Sequence, residues 1–155
     1  MDERLARLGT DLALDYTFGG GFFEDADLVT VQRRTDPGRP NDLVLHGGVE
    51  AITQAIANRL KTRKGELAAL GHPDYGSRHH ELMGEPNTER VRNLVKLFVL
   101  QALRDEPRIE KVLNATVRPD HDPPRSVVRI ELTVRLITGP EPLNLVVPFS
   151  LEGSP

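Results

Sequence analysis

The most constraining feature of this chain is a strict alternation of apolar and polar residues near its C-terminus. From Val128 to Leu136 every second residue is aliphatic, and the residues between them are charged or threonine. A Gly-Pro-Glu-Pro turn at residues 139–142 precedes a second alternation from Leu143 to Leu151. Because successive side chains of a strand point to opposite faces, each segment can bury one face of a sheet. The two segments therefore predict a β-hairpin.

Pro148 lies inside the second of these segments. Proline has no N–H for a ladder hydrogen bond, so this strand is expected at an edge of the sheet. Its apolar face includes Leu145, Val147 and Phe149, which we expect to pack on a helix. The segment from Lys111 to Arg118 is a further strand candidate.

Two helices are predicted in the middle of the chain. Apolar residues recur at intervals of three and four over residues 49–60, and the basic run that follows is expected to end the first helix at Gly65. Asn87 or Thr88 can cap the second helix, which must stop before Pro107. Leu97 is expected to widen its apolar stripe, which covers residues 91–103.

The first 45 or so residues contain dense turn signals and only short strand candidates, at residues 28–31 and 43–45. We interpret residues 1–41 as an extended arm and residues 42–155 as the folded domain. The predicted fold class is α+β, with two main helices packed on a small, mainly antiparallel sheet that ends in a C-terminal hairpin.

Composition limits the possible functions. The length of 155 residues suits one domain, and a formal charge of −3 does not favour nucleic acid as a partner. The chain has no cysteine, which excludes disulfides, thiolate metal sites and a cysteine nucleophile. No segment is long and apolar enough to span a bilayer, so we expect a cytoplasmic protein without membrane insertion.

One loop-rich stretch concentrates five possible metal ligands, His72, Asp74, His79, His80 and Glu81. No pair has the spacing of a known metal motif, and the adjacent histidines at 79 and 80 should point in different directions. We therefore expect solvated loop histidines, no metal and no cofactor.

Catalytic carboxylates for sugar hydrolysis could be sought at Glu66, Glu81, Glu85 or Glu106, but the sequence brings no two of them together. Serine-hydrolase and phosphate-loop motifs are also missing. The expectation is a protein that is not an enzyme.

The segment Glu106-Pro107-Arg108 stops the second helix with an acid and a base on either side of a rigid proline. Two solvated charges at a helix end would explain it. Alternatively, Pro107 directs Arg108 outward, where its guanidinium could clamp a partner carboxylate.

These residues resemble the baseplate wedge subunits of contractile phage tails, extracellular injection systems and type VI secretion (TssE). The resemblance covers residues 42–151 and is carried by short motifs. They are Gln54-Ala55-Ile56, Arg59-Leu60, Thr62, Arg63-Lys64-Gly65-Glu66, Pro73-Asp74-Tyr75-Gly76-Ser77 and Glu106-Pro107-Arg108-Ile109.

The resemblance implies a structural subunit of a six-fold baseplate, in a tail-like particle that can be released. Glu106, Pro107 and Arg108 would dock on the core helical bundle of the wedge. The resemblance also implies that the subunit receives the first ring of the sheath protein by strand exchange. From Pro148 and the strand alternation we expect the hairpin, at Leu145, Val147 and Pro148, to be the docking surface that nucleates sheath assembly. Inner tube or hub proteins are further expected partners. A peptidoglycan-cleaving tail lysozyme and an unrelated small binding module are the alternatives.

Overall fold

The computed structural model describes residues 3–16, 26–32, 41–120 and 126–152. The chain divides into two compact units, Met1–Gln54 and Ala55–Pro155, and the boundary falls within a helix that both share. The glycine run at residues 19–21 and the turn at residues 36–41 lie largely outside the described residues. The division into an arm of residues 1–41 and a domain of residues 42–155 stays a prediction.

The first unit is built from short strands that follow helix α1, Glu3–Ala6. These strands are β1 Thr10–Leu12, β2 Leu14–Asp15, β3 Asp27–Leu28, β4 Thr30–Gln32, β5 Asn41–Leu43 and β6 Leu45–Gly47. They pair antiparallel as β1 with β6, β2 with β3 and β4 with β5. The strand candidates at 28–31 and 43–45 are confirmed, but each is divided into two short strands, at Val29 and at Val44.

The interruptions meet at a junction of three chain segments. Ala13 donates to the Val44 carbonyl (2.8 Å), Val44 to that of Val29 (3.0 Å) and Val29 to that of Ala13 (2.9 Å). Each segment therefore changes its pairing partner at the junction, and the three backbone bonds form a closed ring. Short strands that could not stand alone are stabilised in this way.

Helix α2, Val49–Lys61, begins where the spacing predicts, and Ile52, Ile56 and Leu60 are buried on one face. The predicted end at Gly65 is wrong. The chain leaves the helix after Lys61 because the next backbone groups bond elsewhere. Ser77 donates to the Thr62 carbonyl (2.9 Å), and Lys64 donates to that of Ser77 (3.1 Å).

Helix α3, Glu89–Arg104, is capped by Thr88, whose hydroxyl accepts from the N–H of Val91 at 3.3 Å. This confirms the predicted start, and the helix ends before Pro107 as expected. Leu97 does not belong to the buried stripe, because it is 47% exposed. The loop before α3 contains 3₁₀ turns at Ala68–Leu70 and Arg78–Leu82.

The second unit contains a three-stranded antiparallel sheet in the order β7-β8-β9. Strand β7 is Ile109–Pro119, β8 is Val127–Leu136 and β9 is Pro142–Ser150. Helix α3 packs against β7. The predicted hairpin is confirmed as β8 and β9, with alternate residues of both strands buried in the core. The α+β fold class is likewise confirmed.

Candidate partner-binding surfaces

The segment after α3 places Glu106 in the interior. Its N–H donates to the Leu103 carbonyl at 3.1 Å, which continues the helix end by one turn. Only 4% of Glu106 is exposed, so the interpretation of two solvated charges is wrong for this residue. Pro107, by contrast, is exposed.

Two arginines neutralise the buried carboxylate. Arg59 Nη2 lies 3.3 Å from one oxygen of Glu106, and Arg108 Nε lies 2.5 Å from the other. Burial raises the pKa of Glu106, but the hydrogen bonds and charge of Arg108, with the charge of Arg59, outweigh burial and lower it overall. Arg108 therefore contacts its own chain, while 28% of its side chain remains exposed.

Arg59 connects three parts of the sequence. It extends from α2, it pairs with Glu106 after α3, and its guanidinium lies 4.5 Å from the ring centre of Tyr75. The separate motifs that carry the family resemblance thus meet in space. The resemblance alone gave no hint that Arg59 and Glu106 form a buried ion pair.

His79 is buried and His80 half-buried, so the expectation of a solvated histidine is wrong for His79, and the two rings do not point apart. Their rings stack with centroids 4.3 Å apart, and both rings meet Phe149 edge-on. His79 is 2% exposed and bonds to the Ser77 hydroxyl at 2.8 Å, while His80 bonds to the Leu60 carbonyl at 2.8 Å. Burial, with a smaller contribution from the charge of His80, lowers the pKa of His79 to about 3. His79 is therefore part of the core and His80 lies at its margin, and the 3₁₀ turn that holds them explains the stacking.

Two further glutamates named as candidate catalytic acids bond to groups of their own chain. Glu81 makes a bidentate bond to Arg78 at 2.8 and 2.9 Å, and Glu66 accepts from the N–H of Arg63 at 2.9 Å. The bond to Arg78 lowers the pKa of Glu81. Within the described residues, no group of histidines and acids could hold a metal ion.

Strand β9 forms one edge of the sheet, and its register shows which backbone groups face outward. Leu151 donates to the Ser126 carbonyl at 2.9 Å, and the β8–β9 pairing continues without a shift from Val127↔Ser150 to Arg135↔Pro142. Antiparallel ladders alternate bonded and non-bonded pairs, so odd-numbered residues of β9 bond to β8 and even-numbered residues face the open edge. Pro148 is even-numbered, and its missing N–H therefore falls on the outer side, which agrees with the predicted edge position.

This geometry changes which residues of β9 a partner could reach. Leu145 and Val147 are buried, at 8% and 9% exposure, and their backbone groups face β8. The outward backbone groups belong to residues such as Asn144 and Val146, which the sequence reasoning did not select. Val146 is also 59% exposed.

Comparison with known proteins identifies one protein family and two similar solved structures. The sequence profile of the family described as baseplate wedge protein gp25 matches residues 46–141. A crystal structure of a Geobacter sulfurreducens protein, provisionally named a tail lysozyme, is 28% identical with a TM-score of 0.59. The match covers 68% of this chain and 93% of that one.

A chain of the baseplate complex from the type VI secretion system has the same fold, with 20% identity and a TM-score of 0.51. That match covers 66% of this chain and 93% of the other. No curated protein sequence matches the chain. Among the described residues, no helix is long and apolar enough to cross a membrane.

Proposed function

The chain belongs to the family of baseplate wedge protein gp25, and from this premise we propose that it is a structural, non-enzymatic subunit of a contractile-tail baseplate. In this proposal the open edge of β9 receives a strand of the sheath protein and so nucleates the first sheath ring. The outer side of the Glu106–Arg108 segment contacts the core helical bundle of the wedge.

The observation that carries the sheath proposal is the difference between the two edges of the sheet. Strand β7 has register shifts between Ile109 and Lys111 and between Val112 and Asn114, whereas β9 pairs with β8 without a shift. Bulges twist an edge away from new partners, and a regular edge offers a continuous row of donors and acceptors. An incoming strand would therefore add to β9, by β-augmentation.

Pro148 restricts that addition. Residue 148 offers an incoming strand a carbonyl acceptor but no N–H donor. A partner register that places a carbonyl opposite Pro148 would therefore lose that hydrogen bond. The free N–H groups of residues 144 and 146 lie on the same side of β9. This pattern favours one register of the partner strand and disfavours self-association along the edge.

The wedge contact is supported by the way Arg108 is held. Glu106 fixes its guanidinium, and Pro107 restricts the backbone beside it. A side chain that is already ordered loses less entropy when it binds a partner. We propose that its exposed part contacts a carboxylate or carbonyl groups of the wedge bundle.

The acids of this chain favour a structural role over a tail lysozyme. A general acid for sugar hydrolysis needs a raised pKa, whereas Glu81 and Glu106 both have a lowered pKa and bond to arginine. We expect purified protein to leave peptidoglycan intact. Lysis that is lost on changing Glu66, Glu81 or Glu106 to glutamine would contradict this.

Val146→Pro tests the sheath proposal. It removes an outward N–H while leaving the β8–β9 bonds in place, and Val146→Thr is the matched control because it keeps the donor and a β-branched side chain. In the native contractile system, electron microscopy should show baseplates without sheath for the proline variant. Full-length sheaths on a variant that melts like the wild type would disprove the role of this edge.

Arg108→Ala tests the wedge contact separately. The variant should stay folded, because Glu106 keeps its bond to Arg59, and it should lose co-purification with the wedge proteins. Arg104→Ala, at an exposed position of α3, is the control. Unchanged co-purification of Arg108→Ala would remove Arg108 from the interface.

A further inference from the structure

The sheet β7-β8-β9 has one face that points away from the core. Along β8, residues 129, 131, 133 and 135 alternate with the buried aliphatic residues, so their side chains lie on the other side of the sheet. The residues directly opposite them on β7 and β9 share that side, and none of them is buried. The name outer face is used below for residues 111, 114, 116 and 118 of β7, 129, 131, 133 and 135 of β8, and 142, 144, 146 and 148 of β9.

Two pairs of basic residues lie on the outer face, although the whole chain carries a formal charge of −3. The cross-strand register places these bases directly opposite each other, Arg118 with Arg129 and Lys111 with Arg135. Like charges in this arrangement are destabilising. The acids around each pair therefore decide whether it is compensated within the chain.

The pair Arg118–Arg129 is compensated by the chain itself. Arg118 Nε lies 3.6 Å from a carboxylate oxygen of Glu131, and Arg129 Nε lies 3.1 Å from one of Asp120. The Thr116 hydroxyl lies 3.0 Å from the same Glu131 oxygen and donates to it, which holds this carboxylate in place. This end of the outer face needs no partner to balance its charge.

The pair Lys111–Arg135 is not compensated in this way. Within the described residues, no ion pair or side-chain hydrogen bond involves either residue, and the adjacent Glu110 pairs with neither. The Nε of Arg135 is enclosed and has no acceptor there. The uncompensated positive charge of the outer face is thus concentrated at the end where β7 begins and β8 ends.

We infer that the Lys111–Arg135 end of the outer face binds an acidic helix of another protein chain. Two carboxylates on adjacent turns of such a helix would compensate both bases. The face of a sheet is covered by a helix, whereas an added strand pairs with an edge, so this site and the β9 edge can be occupied at the same time. The inference depends neither on the β9 edge nor on the contact of Arg108.

The spacing of the two bases fits a helix. Residues directly opposite each other on antiparallel strands have Cβ atoms about 4.5–5.5 Å apart, and residues three or four apart on a helix have Cβ atoms about 5–6 Å apart. Two such glutamates can therefore face Lys111 and Arg135 together. Val146, which is 59% exposed and lies opposite Glu131, is about 13 Å further along the strands, a distance of about nine helical residues. An apolar side chain at that point of the helix would cover it.

Protein carboxylates fit this site better than a polyanion or a second copy of the chain. Nucleic acids and anionic membranes are held by many phosphate contacts over an extended basic surface, whereas the outer face offers one uncompensated pair. The net negative charge of the chain repels polyanions, and it also opposes self-association.

Fluorescence anisotropy with a synthetic helix measures this binding to the full chain. The probe is a labelled, alanine-rich, 18-residue peptide with two glutamates four residues apart and a leucine nine residues beyond them, and the control peptide has glutamine for glutamate. The chain should bind the glutamate peptide more tightly, and added salt should remove the difference. The double variant Lys111→Gln, Arg135→Gln should weaken binding about fivefold or more at low salt. Arg104→Gln, at an exposed position of α3, is the matched control and should bind like the wild type.

Lys111→Glu separates docking from a purely structural role. It replaces the like-charge pair by an ion pair with Arg135, so the melting temperature should rise by about 1–3 °C while peptide binding falls at least as far as in the double variant. A residue that serves only the fold cannot produce this gain together with this loss. Lys111 is exposed, so Lys111→Glu and Lys111→Gln decide the question even if a change at Arg135 disturbs folding.

The inference is overturned by any of the following results. Failure of the wild type to bind the glutamate peptide at low salt, or equal binding of both peptides, would show that charge selects no partner here. Unchanged binding by the folded Lys111 variants would place the peptide elsewhere on the chain. Tighter binding of an oligothymidine or of phosphatidylserine vesicles than of the peptide would identify a polyanion instead. Salt-sensitive dimers in sedimentation that disappear with Lys111→Glu would identify a second copy as the occupant.

Discussion

Glu106→Gln is the substitution that most directly tests the buried ion cluster. It keeps the size of the side chain and removes its charge. In the wild type the carboxylate is 4% exposed and accepts from Arg59 and Arg108. In the variant Arg59, whose side chain is 10% exposed, keeps its charge in the interior without a counter-ion.

The expected loss of stability follows from that uncompensated charge. Breaking a buried ion pair on one side typically costs about 3–5 kcal/mol. The total stability of a domain is about 5–15 kcal/mol, so a large part of it would be lost. In a chain of this length, each kcal/mol of lost stability lowers the melting temperature by about 2–4 °C, so we expect the variant to melt roughly 10 °C lower.

Thermal and urea unfolding, followed by circular dichroism, measure this loss. Glu85→Gln is the matched control, because Glu85 is exposed and should change stability by less than about 0.5 kcal/mol. Arg59→Met in the Glu106→Gln background should recover part of the loss, since it removes the stranded charge. A Glu106→Gln variant within about 1 kcal/mol of the wild type would refute the argument that the cluster stabilises the fold.

Three further outcomes follow from local geometry. Gly76→Ala should destabilise the protein more than Gly65→Ala. Both glycines have positive φ, but only a Cβ at residue 76 would lie 2.6 Å from the Thr62 carbonyl oxygen. The difference between the two melting temperatures therefore measures the clash apart from the φ strain. Thr88→Ala should cost about 1 kcal/mol in urea unfolding by removing the α3 cap. The pKa of His79 is about 3 in the folded chain, against 6.5 when unfolded, so the unfolded chain binds more protons below pH 6.5 and the folded state is less stable there. The free energy of unfolding should fall by about 2 kcal/mol from pH 7.5 to 5.0, and His79→Phe should reduce this dependence on pH.

The regular elements could be predicted because their signals are local. The alternation at 128–136 and 143–151 is a property of each strand, and β8 and β9 begin and end within a residue of it. Thr88 caps α3 through a bond to a residue three positions away. Such features need no knowledge of the tertiary structure.

The errors concern residues whose environment is set by distant parts of the chain. Helix α2 ends early because Ser77 competes for its backbone, and no pattern near Lys61 records this. His79 is buried and His80 half-buried because Phe149, from the last strand, packs edge-on against both rings. The junction at Ala13, Val29 and Val44 depends on three segments at once, so the individual strands were visible in the sequence and their arrangement was not.

In the proposed function the Glu106–Arg108 segment has an external role as well as an internal one, and this affects how its variants must be interpreted. Glu106 stabilises the fold, whereas the exposed part of Arg108 is available to a partner only in the position that Glu106 gives it. Loss of partner binding in a Glu106 variant therefore cannot distinguish a lost contact from a displaced Arg108 or an unfolded subunit. Arg108→Ala leaves the Glu106–Arg59 pair intact, so binding lost at unchanged stability can be assigned to the interface itself.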